Sequence, residues 1–140
     1  MNRARYGFAL LLTFALALLN GCSRSPLVQA KGRLTYKGKP VPSTYVIFHP
    51  VEEGKRESHG LTDDDGNFVL TFSRTEEGVY PGKHVVHLRY NVSAEEELGE
   101  APPKANKALK AVISKFGVNE KSPLTYEVKG GENFNIELPN

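Results

Sequence analysis

The stretch "TDDDGNF" (62–68) places three carboxylates in a row, and carboxylate oxygens are the ligands that Ca²⁺ prefers. An EF-hand loop has Asp at positions 1, 3 and 5, Gly at position 6 and Glu at position 12. Counted from Asp63, Gly66 falls at position 4 and no Glu closes the loop. The stretch therefore favours a tight turn, with aspartate capping backbone N–H groups and Gly66 at positive φ. The alternative is a calcium site with Asp63 and Asp65 as ligands.

Four histidines, His49, His59, His84 and His87, are the candidate transition-metal ligands. A zinc site needs three or four converging ligands. His84 and His87 lie three residues apart in a predicted strand, so they face opposite sides and cannot jointly chelate one ion. We expect no metal site and no cofactor, with His84 hydrogen-bonded in the core and His49 and His87 exposed.

Cys22 is the single cysteine of the chain, so an internal disulfide is excluded. It follows the uncharged apolar stretch 6–19, which is preceded by Arg3 and Arg5. Fourteen residues are too few for a membrane span, which needs about 20, but they suit the apolar region of an export signal. A buried core helix is the alternative. We expect a signal peptide at 1–21.

The junction "LNGC" (19–22) resembles the lipobox of bacterial lipoproteins, with Leu three residues before the cysteine and a small residue directly before it. The resemblance implies that Cys22 carries a thioether-linked diacylglycerol and becomes the first residue after cleavage. Two or more acyl chains anchor a protein stably in a membrane. Ser23, instead of Asp, favours the outer membrane by analogy with sorting rules in some Gram-negative bacteria. The alternative is a secreted protein with a free thiol.

The charge that remains after cleavage argues against a nucleic-acid partner. Two of the 18 Lys and Arg residues, Arg3 and Arg5, lie in the signal, so 16 basic and 16 acidic residues remain. A nucleic-acid surface needs a concentrated basic field, and a neutral domain lacks it. The membrane, reached through Cys22, is the one partner that the sequence indicates. A protein or glycan partner stays undetermined.

Seven short segments after a polar tether (22–30) alternate apolar and polar residues or are rich in β-branched and aromatic types, which is typical of strands. They are 31–38, 44–50, 58–62, 67–72, 83–92, 124–128 and 134–138. Two turn signals predict which of these strands pair. An Asp/Gly turn predicts a hairpin of 58–62 with 67–72, and "KGGEN" predicts a C-terminal hairpin. The count favours an all-β, seven-stranded β-sandwich formed by residues 31–140.

The segment 94–107 breaks the strand pattern. It is acidic first, then contains Pro102 and Pro103, then becomes basic and alanine-rich. In the following stretch, 106–116, apolar residues recur at helical spacing, so this stretch is either a short helix or an irregular loop.

Three segments resemble carboxypeptidase regulatory-like domains in order and spacing. They are "GRLTYKGKPVPSTYVIFHP" (32–50), "LTDDDGNFVL" (61–70) and "VYPGKHVVHL" (79–88). The tail 114–138 is similar to that of many small bacterial lipoproteins of this group. The resemblance covers about 31–138 and implies a transthyretin-like (prealbumin-like) Greek-key sandwich, of a kind that is generally non-catalytic.

The expected function is that of a lipid-anchored, non-enzymatic binding or structural module of the cell envelope, facing the periplasm or exterior. The alternative is a carbohydrate- or peptide-binding module assisting a surface enzyme, with an aromatic strip drawn from Tyr45, Tyr80 and Tyr126. A transthyretin-type hydrolase is disfavoured, because the Tyr-Arg-Gly-Ser ending of those enzymes is absent. A pocket gathering two histidines and an arginine would favour the hydrolase.

Overall fold

The computed structural model describes residues 25–118 and 122–139. They form two four-stranded β-sheets and two short helices. The strands are β1 (Lys31–Tyr36), β2 (Lys39–Pro40), β3 (Thr44–Pro50), β4 (Ser58–Leu61), β5 (Asn67–Val69), β6 (Gly82–Tyr90), β7 (Thr125–Val128) and β8 (Asn133–Leu138). The helices are α1 (Ala94–Glu97) and α2 (Lys107–Lys115).

Sheet one is built around β1. Strands β2 and β5 pair antiparallel with β1, and β8 pairs with it in parallel, from Lys31 opposite Asn133 to Tyr36 opposite Leu138. The last strand of the chain thus lies beside the first. Sheet two is antiparallel throughout, in the order β4-β3-β6-β7.

The hydrophobic core lies between the two sheets, because alternate residues of each strand point inward. Phe48 is fully buried near its centre, with ring centroids 5.3–6.5 Å from those of four other aromatic residues. Sheet one contributes Leu34, Phe68, Phe134 and Ile136, and sheet two contributes Val46, Phe48, Val86, Leu88 and Val128. The prediction of an all-β protein with two packed sheets is confirmed, with eight strands instead of seven because Lys39–Pro40 adds a short one.

The stretch 106–116, which the sequence left open, contains helix α2. The side-chain oxygen of Asn106 caps it by accepting a hydrogen bond from the Leu109 N–H at 2.9 Å. Its apolar stripe packs on the core, where Ile113 and Phe116 are buried. The helix closes the sandwich beside the second half of β6, and the Leu88 N–H donates to the Phe116 carbonyl at 2.8 Å.

The prediction of a C-terminal hairpin is wrong. Strand β7 pairs with β6 in sheet two, whereas β8 pairs with β1 in sheet one. Tyr126 and Phe134 meet across the core, with ring centroids 5.5 Å apart in an edge-on contact. Each strand has one apolar face, and placing the strands in opposite sheets buries both faces between the layers.

The predicted hairpin of 58–62 with 67–72 is correct only at its turn and at one bridge. The Asp63 N–H donates to the Asn67 carbonyl at 2.9 Å, and His59 and Thr71 form an isolated bridge. Beyond these contacts β4 joins sheet two and β5 joins sheet one. The turn therefore carries the chain from one layer to the other.

The end of the predicted tether belongs to the packed domain. Val28 and Val79 exchange two backbone hydrogen bonds, each of 2.9 Å, and Ala30 is buried in the core. Among the described residues, no helix is long and apolar enough to cross a membrane.

Candidate functional site

The outer face of sheet two gathers aromatic and basic side chains because of its strand register. Tyr45 of β3 lies directly opposite Arg89 of β6. Two residues further along β3 on the same face, Ile47 lies between His59 of β4 and His87 of β6, and these opposed residues form a second row. Directly opposed residues on neighbouring strands are about 5 Å apart, so the five side chains form one continuous patch.

Contacts within this patch fix the ring of Tyr45. The His59 ring meets it edge-on, with centroids 5.8 Å apart. The guanidinium carbon of Arg89 lies 5.1 Å from the Tyr45 ring centroid, in a cation–π contact. Tyr45 thus holds the arginine over the patch.

Helix α2 and the residues after it form a wall beside the patch. Together they enclose a half-open groove of about 730 Å³, which is within the range of small-molecule sites, about 300–1,000 Å³. The wall contributes Lys110, Ile113, Ser114, Gly117 and Val118. The groove is therefore bounded by a sheet face and by a helix that the core holds in place.

A polar cluster fastens this wall to β6. The Tyr90 hydroxyl donates to the Glu96 carboxylate at 2.7 Å and accepts from the Ala105 N–H at 3.3 Å. The Lys110 ammonium donates to the other oxygen of Glu96 and lies 4.4 Å from the Tyr90 ring centroid. The bond from Lys110 lowers the pKa of Glu96, and burial raises the pKa of Tyr90. The cluster joins α1, α2 and β6.

The charged side chains that line the groove differ in whether an oppositely charged group lies beside them. Lys110 is paired with Glu96, and the carboxylate of Glu57 lies 3.4 Å from His49 Nδ1. Within residues 25–118 and 122–139, Arg89 forms no ion pair with a carboxylate. Arg89 is therefore the cation best placed to meet an anion from solvent.

His84 lies on the opposite face of the same strand. It is fully buried, its Nδ1–H donates to the Gly82 carbonyl at 3.0 Å, and its ring centroid lies 5.8 Å from that of Phe48. Burial in this apolar setting lowers the pKa of His84. Its predicted core position is confirmed. His49 and His87, which were expected to be exposed, are half-buried.

The "TDDDGNF" loop has the geometry of a turn. One oxygen of the Asp63 carboxylate accepts from the Asp65 and Asn67 N–H groups at 3.0 and 2.8 Å. These bonds, with that to Asn67 leading, lower the pKa of Asp63. Gly66 has φ of 78°, and a Cβ there would lie 2.4 Å from the Leu34 carbonyl oxygen. The part of the chain that the structure describes contains no group of three His, Cys, Asp or Glu side chains able to hold a metal ion.

The three tyrosines considered for an aromatic strip lie apart. Tyr45 is on the outer face of sheet two, whereas Tyr126 packs on Phe48 in the core. Tyr80 contacts Phe72 edge-on, with centroids 5.5 Å apart. Cys22, the predicted lipidation site, lies outside the described residues.

The joint position of His59, His87 and Arg89 was not predicted from the sequence. The alternation in "TYVIFHP" and "VVHLRY" already places Tyr45 with Ile47 on one face, and His87 with Arg89 on one face. That signal gave the outward-facing residues of each strand. The pairing of β3 with β4 and β6, which brings those residues together, has no local signature.

No protein-family model matches the chain, and no curated protein matches it. A solved structure of a DUF3823 family protein from Parabacteroides merdae is similar over 81% of this chain at 17% identity, with a TM-score of 0.44. The match covers 46% of that protein.

Proposed function

We propose that this protein is a lipid-anchored component of the cell envelope whose sandwich binds a ligand in the groove on the outer face of sheet two. One observation carries the binding role: Tyr45, His59, His87 and Arg89 converge on one sheet face beside a helical wall. A mixed aromatic and polar lining of this size is the usual composition of a ligand site.

The binding role is tested by following backbone amide resonances of the full-length protein in detergent micelles during a screen of small acids, amides and sugars. Binding in the groove predicts shifts at β3, β4 and β6, and none on the outer face of sheet one. A ligand whose shifts map to sheet one alone would contradict the proposal. Ligand-induced shifts abolished by His87→Ala but retained in Thr35→Ala would support it, because Thr35 lies in sheet one.

The anchoring role is supported by the lipobox-like junction that ends at Cys22. The lipidated cysteine would hold the sandwich at the membrane, with the outer membrane favoured by Ser23. Labelling of cells with a radioactive or clickable fatty acid tests this. We expect label on the wild type and none on Cys22→Ala, which should also leave the membrane fraction. A wild type without label would reject the anchor.

The finer fold assignment also stays a proposal. A transthyretin-like Greek-key arrangement of the carboxypeptidase regulatory-like type is supported by two four-stranded sheets and by the order of the three resembling segments. An experimental structure would test it, because the order of strands in sheet one differs between Greek-key variants.

A second candidate function is a hydrolase of the transthyretin type. The observation that favours it is that His59, His87 and Arg89 line the same groove, together with Ser114. The Ser114 hydroxyl donates to the Ala111 carbonyl at 2.8 Å, one turn earlier in its own helix. Incubation with purine-breakdown products, followed by ultraviolet absorbance, tests this. Turnover that is lost in His87→Ala and Arg89→Gln would support hydrolysis, and an absence of turnover at high protein concentration would leave binding as the function.

A further inference from the structure

The charge balance of the groove limits the class of its ligand. Its lining contains two permanent cations, Arg89 and Lys110, and one carboxylate, Glu57. The positive charge of Lys110 is neutralised by Glu96, which is held in turn by Tyr90. Among the described residues of the lining, Arg89 is thus the one permanent cation without a carboxylate partner.

Arginine fits a particular partner because its planar guanidinium presents several donors in a fork that matches a carboxylate. The cation–π contact with Tyr45 restrains this group without using hydrogen-bond acceptors. Because Arg89 lines the groove, its guanidinium can pair with two oxygens of one anion bound there.

A dianion is disfavoured by the remaining carboxylate. Glu57 lines the same groove, and its side chain is half-exposed beside His49. Among the described residues of the lining, a second negative charge on the ligand would meet no unpaired permanent cation, and Glu57 would repel it. The groove thus suits a monoanion better than a phosphate dianion.

Apart from Ser114, the uncharged part of the lining is mostly apolar or aromatic. Ile47 forms part of the floor and is 7% exposed, while Val118, which is 46% exposed, contributes to the wall. A ligand that filled the groove would bury apolar surface against these side chains, with the ring of Tyr45 next to the arginine.

We propose that the groove binds a small organic monocarboxylate, with the carboxylate paired to Arg89 and an apolar or flat portion packed on Ile47 and Tyr45. This inference rests on the proposed binding role of the groove. It adds the chemical class of the ligand and assigns Arg89 as the residue that selects it.

The test titrates three probes into the full-length protein in detergent micelles, with amide shifts as the readout. The probes are benzoate, its neutral counterpart benzamide, and inorganic phosphate. We expect benzoate to shift resonances of β3 and β6 and to bind at least about tenfold more tightly than benzamide or phosphate, since one charged hydrogen-bonded pair supplies about 1.5–3 kcal/mol.

The matched variants are Arg89→Gln and Lys83→Gln. Lys83 is an exposed cation on the same outward face of β6, outside the groove. We expect Arg89→Gln to weaken benzoate binding about tenfold or more and Lys83→Gln to leave it within about twofold. A dispersed amide spectrum of Arg89→Gln confirms that the variant is folded.

The outcomes separate the two proposals. Equal affinity for benzoate and benzamide, tighter binding of phosphate, or unchanged benzoate affinity in Arg89→Gln would overturn the carboxylate assignment and leave the binding role intact. Shifts confined to residues outside the groove for all three probes would overturn the carboxylate assignment and count against the binding role as well.

Discussion

The two faces of sheet two differ most clearly at two histidines of one strand. His84 points into the core, where it is fully buried beside Phe48, and its Nε2 has no hydrogen-bond partner among the described residues. His87, three residues later, points outward and lines the groove. Strand alternation therefore places the same residue type in the core on one face and in the proposed binding groove on the other.

Because of this difference, we expect substitutions that lower stability and substitutions that alter the proposed ligand binding to lie on opposite faces of sheet two. Substitutions on the inner face remove packing between the sheets, and they should lower the free energy of unfolding. Substitutions on the outer face change a solvent-filled groove, and they should alter ligand binding with little effect on stability. Four predictions test that separation, in order of decreasing expected effect.

Replacing Phe48 by Ala should give the largest loss of stability. The side chain is fully buried among four aromatic rings, so the change leaves a cavity that the two sheets cannot fill. We expect a cost of about 3–5 kcal/mol in urea-induced unfolding. The outer-face counterpart Tyr45→Ala should cost below about 1.5 kcal/mol. Equal costs for the two variants would contradict the separation of the faces.

Acid should destabilise the protein through His84. Its pKa is lowered in the folded state from the usual 6.5 by burial, so below pH 6.5 the unfolded chain binds a proton that the folded chain does not. The stability that the protein gains from keeping His84 neutral is complete above pH 6.5, and it is lost as the pH falls towards the lowered pKa of His84. The slope from this one group is at most about 1.4 kcal/mol per pH unit.

Unfolding in urea between pH 7.5 and 5 measures this dependence. His84→Phe should flatten it, because the variant has no ionisable ring at this position. If His84→Phe does not fold, the ring resonances of the wild type give the answer, because the lowered pKa of His84 should keep its ring neutral below pH 6.5. A pKa of His84 at or above the usual 6.5 in the folded protein would refute the prediction.

Tyr90→Phe should have an intermediate effect. Tyr90 shares the inward face of β6, but its hydroxyl reaches Glu96 and the Ala105 N–H outside the core. Loss of these bonds should cost about 1 kcal/mol and loosen the 94–105 segment. Hydrogen exchange should therefore speed up in α1, with β1 unchanged as the internal control. Unchanged exchange in α1 would show that Tyr90 does not hold this segment.

Arg89→Gln should have the smallest effect on stability. Arg89 is exposed and contacts Tyr45 on the outer face, so thermal unfolding should change by no more than about 0.5 kcal/mol. The same variant is expected to lose carboxylate binding. A large loss of stability would mean that the Tyr45–Arg89 contact supports the fold, and the two faces would then no longer be separable.

Much of the secondary structure could be predicted from local signals. The expected core position of His84 is confirmed, and the "TDDDGNF" stretch formed the expected turn. Helix α2 was left undecided, because its nine residues are too few to be stable alone and its apolar stripe needs the core. The C-terminal hairpin was predicted wrongly, because a turn signal between two strands does not specify whether they share a sheet.

The sequence by itself determined which side chains share a face of each strand and where the chain turns, because these depend on a period of two and on Asp, Gly and Pro conformations. It also contains the lipobox-like junction at Cys22, which is a local pattern. Only the tertiary structure decided that β7 and β8 separate and that Tyr45, His59, His87 and Arg89 meet. These arrangements depend on pairing between distant strands, which the packing of two apolar faces selects and no neighbouring residues encode.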